Sequence, residues 1–205
     1  MADEISNRSR AERRYDESYA EEVELRDGTL RLVQPTDKAL FVEAFGHLSP
    51  RSIYQRFLAA KNRLSKTELA YLTELDHEQH LAILAVRKDD DGAEHGLGVA
   101  RFVVLRDEPP GTAEVAITVI DEVQHLGLGT LLLQRLALAA RERGVARFRF
   151  DVLGSNAQMM EILRDVAPGL THHWNSDFVD HLEIDTKAVD AILGHQLEER
   201  TPGAK

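Results

Sequence analysis

The sequence predicts a mixed α/β domain whose sheet is mostly antiparallel and is flanked by helices. Three observations carry this. His80–Arg87, Leu97–Leu105 and Ala113–Ile120 are short apolar or β-branched runs, separated by Asp89-Asp90-Asp91-Gly92 and by Pro109-Pro110-Gly111. Connections that short join antiparallel neighbours, because parallel ones need a crossover of a dozen or more residues. Ala113–Ile120, a helical stretch over Leu128–Arg143 and Arg147–Val152 then form a strand–helix–strand unit, which closes as a right-handed parallel crossover. The full order of strand, helices, three antiparallel strands, helix, strand, helix, strand describes one mixed domain.

Residues 1–24 are rich in charge of both signs and poor in large apolar groups. They read as a charged N-terminal tail, mobile or loosely docked as a helix. The domain proper is expected over residues 25–186, with a C-terminal helix and tail over 187–205. Leu25–Val33, with Asp27-Gly28 as its turn, reads as a hairpin-like start ending in strand Leu30–Val33. Pro35-Thr36 stops it, and Thr36 is placed to cap a helix over Asp37–His47 whose Leu40, Phe41, Ala44 and Phe45 share one face with Leu48. Ser49-Pro50 restarts helix, with Ser as N-cap and Pro in the first turn. Ser65-Lys66-Thr67-Glu68 is a capping box, with Leu64 and Leu69 as its staple, for a helix running to about Leu75. Gly144 ends the Leu128–Arg143 helix. Gly154-Ser155-Asn156 leads into a helix over Ala157–Val166, stopped by Pro168-Gly169. Phe178–Ile184 is the last strand, and Thr186–Glu199 a last helix.

Composition narrows the function. The 205 residues carry a formal charge of −10. That field repels phosphate backbones and anionic lipid, so neither nucleic acid nor membrane is expected as a partner, and it favours cationic ligands such as amines or Lys-rich segments; a charge that confers solubility alone is the other reading. With no cysteine, disulfides, thiolate zinc sites and a cysteine nucleophile are excluded; the composition fits a reducing cytoplasm, the expected location. No apolar run approaches the ~20 residues of a membrane span, and the N-terminus has no apolar signal core. Nine histidines are present, including His172-His173 and His77 with His80, but no HExxH or comparable ligand set, so no metal is expected.

The stretch from Gln124 to Thr130 is where a loop becomes a helix, and it holds Gly127 and Gly129. The first amides of a helix have no partner inside it, and the dipole there is positive, which suits a phosphate. A plain loop-to-helix turn would also use two glycines. A dinucleotide fingerprint does not fit. Leu132 occupies the place of its third glycine, and antiparallel strands stand where its first strand belongs, although Asp151 lies near the ribose-binding offset.

Gln124-His125-Leu126-Gly127-Leu128-Gly129 resembles the Q/R-x-x-G-x-G/A signature of the GCN5-related N-acetyltransferases (GNAT). The order of elements resembles that superfamily over about Leu30 to Ile184. Two segments, Leu48 to Phe57 (LSPRSIYQRF) and Ala113 to Val119 (AEVAITV), are similar to bacterial protein-lysine acetyltransferases of the superfamily. The resemblance implies a GNAT-like acyl-CoA N-acyltransferase fold. It implies acetyl-CoA as co-substrate and an acceptor that is a protein lysine, or alternatively a small amine; a non-catalytic acyl-CoA-binding module is the other class considered. It assigns the diphosphate to main-chain amides of Gln124, His125, Leu126, Gly127, Leu128, Gly129 and Thr130, although Leu126 stands where many members carry a basic residue. It assigns the pantetheine arm to the main chain of Ile117, Thr118 and Val119, which also offers an amide for the developing oxyanion.

An amine attacks a thioester only with a free lone pair, so a base helps a lysine of pKa near ~10.4. Glu114 is the candidate. Strand alternation puts it on one face with Ala116, Thr118 and Ile120, where desolvation would raise its pKa; an ordinary solvent-facing glutamate is the other reading. Asn156 either caps its helix or, as the resemblance implies, bonds the CoA arm. Many members place a tyrosine on that helix as general acid; here stand Met159 and Met160, and the acid is unassigned. Trp174 reads as core or groove wall.

Overall fold

The structure, a computed structural model, describes residues 14–23, 28–167, 171–176 and 178–189. Eight strands form one sheet: β1 (Ala20–Val23), β2 (Gly28–Leu32), β3 (His80–Lys88), β4 (Glu94–Val104), β5 (Thr112–Val119), β6 (Arg147–Leu153), β7 (Thr171–Ser176) and β8 (Val179–Asp185). Their order across the sheet is β1-β2-β3-β4-β5-β6-β8-β7. All pairings are antiparallel except β5 with β6. Five helices of eight or more residues are described: α1 (Lys38–Gly46), α2 (Pro50–Phe57), α3 (Lys66–Thr73), α4 (Leu128–Arg141) and α5 (Ala157–Val166).

The two faces of the sheet are covered differently because α4 makes the crossover between the parallel strands. Leu30, Leu32, Leu81, Ile83, Phe102 and Phe148 turn to one side and pack with Leu132, Leu133 and Leu136 of α4. The alternate residues Ala82, Leu84 and Val86 pack with Val33, Phe41 and Leu72 under α1 and α3. This alternation is the period-two geometry of strands buried on both faces.

The helix starts follow their caps. Ser49 Oγ accepts from Ser52 N, and Ser65 forms a complete box with Glu68. Thr36 does not cap α1 as expected. A 3-10 turn, Pro35–Asp37, precedes the helix, and the Asp37 carboxylate accepts from Gln34 N at 2.7 Å while Arg31 holds it through two bonds of 2.8 Å. Asp37 wins because it is buried and needs both partners.

Two strands lie where none was expected. The segment read as a charged tail contributes β1, and Tyr15 and Tyr19 are buried, with rings 4.6 Å apart. Glu21 of β1 bonds Arg135 of α4 at 2.6–3.0 Å. Besides the tyrosines and this ion pair, pairing with β2 and the bonds of Arg14 N and Tyr15 N to the Glu142 carboxylate dock the segment. β7 is an edge strand with the sequence THHWNS, too polar to announce itself. Residues 186–189 open as helix; the rest of the predicted Thr186–Glu199 helix, the Asp27 turn and Pro168-Gly169, and the side chains of His172, His173 and Trp174 lie outside what is described.

Candidate active site

β5 and β6 separate, and the site is the gap. β5 pairs with β4 from Ala113 through Val119, but its parallel pairing with β6 ends at Glu114 opposite Arg149. Leu105 N donates to Thr112 O at 2.9 Å and Ile120 N to Leu97 O at 3.0 Å. These bonds set the phase of the ladder. Even-numbered residues of β5 turn their main chain to β4, and Ile117 and Val119 turn theirs to the gap. Gln124 Nε2 donates to Val119 O at 3.1 Å. That leaves the Ile117 amide and carbonyl and the Val119 amide facing open space. The Thr118 main chain points the other way, so its contribution to the cleft is its side chain.

A cleft of about 180 Å³ occupies the gap, lined by Glu114 and residues 116–119 of β5, residues 150–152 of β6, Asn156, Met159 and Ile162 of α5, and Ser52, Arg56 and Leu58 beside them. Asn156 Oδ1 accepts from Met159 N at 3.1 Å. Its carbonyl therefore caps α5, while the residue also lines the cleft.

Gly127 precedes α4 at φ 85°, ψ 0°, a conformation that glycine adopts without cost. A Cβ there would meet nothing within 4 Å, so the backbone stands open. Leu131 N makes a helical bond to Gly127 O at 3.0 Å. The amides of Leu128, Gly129 and Thr130 therefore have no acceptor inside the helix. The two glycines differ in role. A Cβ on Gly129 would come within 2.9 Å of Ile162 Cδ1, so Gly129 lets α5 pack against α4. His125 is at φ 60°, Leu126 is 43% exposed and Leu128 is buried in the core.

The Gln124 side chain points inward. Besides Val119 O it donates to Asp121 Oδ1 at 3.1 Å. Asp121 also accepts from Ser52 Oγ at 2.8 Å and Ser49 N at 3.2 Å. The start of α2 is thus tied to the loop before α4. Ser52 and Asp121 were not singled out from the sequence; Ser52 lies within the recognised 48–57 segment, and Asp121 gave no signal.

Glu114 stands at the mouth of the cleft and is exposed. The desolvation expected for a mid-sheet carboxylate is not found, because the strands diverge just beside it and admit solvent. Behind the cleft, a smaller cavity of about 60 Å³ lies under α1 and α2. Arg101 on β4 is 3% exposed; it donates to Leu72 O at 2.9 Å and lies 3.1 Å from His80 Nε2. Burial, with the neighbouring Arg56 cation, pushes the Arg101 guanidinium down to about 9. Burial and Arg101 push His80 down to about 4. His80 is therefore neutral and accepts from Arg101. Among the described residues no group of three or more His, Cys, Asp or Glu side chains is placed to hold a metal ion, and no helix is long and apolar enough to cross a membrane.

The arrangement fits a thioester of coenzyme A. Unpartnered helix-start amides beside open space at Gly127 suit a diphosphate, and a strand edge with free N–H and C=O groups suits an amide-bearing arm. A sheet opened this way, with the helix start at its end, defines an acyl-CoA N-acyltransferase fold. Residues 48–164 match the model of the acetyltransferase (GNAT) family. An acetyltransferase of Pseudomonas aeruginosa is 31% identical over 141 residues, 67% of this chain and 74% of its own length. Acetyltransferase Pat of Mycolicibacterium smegmatis is 33% identical over 139 residues, 65% of this chain but only 39% of that protein. Among solved structures, the GNAT domain of S. lividans PAT superposes with a TM-score of 0.73 at 29% identity, covering 83% of this chain and 99% of that one. The fold is also that of YncA from Salmonella typhimurium, solved with acetyl-CoA, at a TM-score of 0.61 and 19% identity over 78% of this chain and 94% of that one. The chain belongs to the GNAT family and is an acetyl-CoA-dependent N-acetyltransferase that moves an acetyl group to an amine.

Proposed function

We propose that the acceptor is the side-chain amine of a lysine in a protein. The observation that carries this reading is the cleft mouth, where Glu114 is exposed and Leu58, just after α2, stands 44% exposed. A lysine stem can enter such a mouth while the rest of its protein stays outside. The likeness of residues 48–57 and 113–119 to bacterial protein-lysine acetyltransferases, and the identity with Pat, support it.

Acetyl-CoA supplies the activated acetyl group. The amides of Leu128, Gly129 and Thr130, with the open backbone at Gly127, hold its diphosphate. Gln124 holds the loop in place, and the neighbouring His125 and Leu126 contribute main chain. The Ile117 and Val119 main chain and the Thr118 side chain flank its arm, and Asn156 closes the far side. Glu114 accepts the proton of the incoming ammonium, directly or through a water. The test is incubation with acetyl-CoA and candidate acceptors, acyl-CoA synthetases among them, read by mass spectrometry. Acetylated lysines on a folded protein acceptor are expected; CoA release with small amines alone would overturn the assignment.

A further inference from the structure

Arg56, in the last turn of α2, lines both the Glu114 cleft and the cavity behind it. It is partly buried and stacks over its neighbour Phe57, 5.1 Å from the ring centroid. Among the described residues it has no hydrogen bond and no ion pair. Nor is it among the sealed polar atoms without a partner, which are Tyr15 Oη, His77 Nδ1, Gln134 Nε2 and Arg149 Nε. Its nitrogens therefore reach the open space of the cleft or of the cavity behind it. Arg101 lies behind it, bonded to a carbonyl and a neutral imidazole, neither of which balances its charge.

The other charged groups in and around the cleft are nearly matched. On β6, Arg149 is paired with Glu108 at 2.5 Å, and Asp151 is bonded to His181 of β8 at 2.7 Å. β5 gives Glu114, α3 gives Tyr71 near Arg101, and α5 lines the cleft with uncharged side chains. In a chain of net charge −10, Arg56 stands in the cleft with no ion pair, Glu114 being the carboxylate whose charge reaches it, and Arg101 lies in the cavity behind. A cation near an amine favours the uncharged amine.

We propose that Arg56, backed by Arg101, keeps the acceptor amine in its neutral, nucleophilic form inside the cleft. The proton lost on binding passes to Glu114 or to solvent, and the bond changes of acetyl transfer are otherwise unaltered. This rests on the assignment of the Glu114 cleft as the acceptor site.

The acid limb of kcat reports the enzyme–substrate complex, and is followed for wild type, Arg56→Met and Arg56→Lys. With a lysine peptide, Arg56→Met should move that limb to higher pH by about one unit, and Arg56→Lys should restore it. With a peptide whose amine is replaced by an alkoxyamine, already neutral at pH 7, Arg56→Met should leave the limb in place. Superposed profiles with lysine would overturn the proposal, and an equal shift with both peptides would reassign Arg56 to Glu114. Wild-type protein gives a second reading that does not depend on a variant folding. A lysine peptide labelled with 15N at Nζ, bound in the presence of CoA, should titrate below the free peptide; an unchanged or raised titration overturns the proposal. Glu114→Gln tests the base separately, and its outcome leaves this titration standing.

Discussion

Gly127 separates two demands that the sequence presents as one. Its φ of 85° favours glycine, yet a Cβ there would touch no protein atom within 4 Å. Replacing it by Ala therefore costs stability only through backbone strain. A left-handed L-residue costs about 1–2 kcal/mol, partly offset by about 0.4–1 kcal/mol from the stiffer unfolded chain. The net loss is about 1 kcal/mol, a drop in Tm of about 2–4 °C for a domain of this size. Gly127→Asn should lose less, because Asn tolerates this conformation. Both variants place a Cβ in the space assigned to the diphosphate. Losing one hydrogen bond to a charged group costs about 1.5–3 kcal/mol, about ten- to a hundredfold in affinity. Calorimetric titration with CoA and thermal unfolding, run on both variants, decide the matter. Weakened CoA binding in Ala and Asn alike, with Asn nearly as stable as wild type, is expected. Wild-type CoA affinity in both would refute the diphosphate site at this corner.

Other substitutions test the remaining parts. Glu114→Gln should lower kcat by about 10²–10⁴-fold with CoA affinity held within about twofold, and undiminished turnover would remove Glu114 from its role. Gln124→Ala frees Val119 O and Asp121, so KM for acetyl-CoA should rise several-fold, by about 1 kcal/mol, while kcat changes little; a fall in kcat alone would argue against a loop-holding role. His80 titrates near about 4 when folded, against about 6.5 for an unperturbed imidazole. Between those values the unfolded chain binds a proton that the folded one does not, so stability falls as pH drops from about 6.5 to about 4. His80→Gln keeps an acceptor for Arg101 without titrating, and its stability relative to wild type should improve steadily over that window. A pH-independent difference in urea unfolding would show that His80 is not the titrating group.

Periodicity and caps made most of the fold legible. The helix starts at Ser49 and Ser65 are local chemistry, decided within four residues, and both are where the sequence puts them. The three antiparallel strands and the crossover follow from connection length. β1 and β7 were illegible for the same reason. Each is an outer strand held by the sheet edge beside it, and its own composition carries little of the stabilisation. Tyr15 and Tyr19 are the exception within the N-terminal segment, and two aromatics among charges do not make a period.

The candidate site divides along a similar line. What depends on main chain, the glycine turn and the run of Ile117 to Val119, is written in a motif and an alternation. What depends on side chains meeting from distant elements is not. Arg56 and Arg101 stand 45 positions apart in the sequence, and neither departs from the pattern of its own element. Only the packing of α1 over β4 and of α2 over β5 brings both to the wall behind Glu114. The same holds for Ser52 and Asp121, which become a latch once the loop folds back on α2. The divergence of β5 from β6 joins these two groups. It turns Ile117 and Val119 from core strand into an exposed edge, and it leaves the mouth at Glu114 open to solvent. The one break in pairing thus opens both the strand edge proposed for the thioester and the mouth proposed for the amine.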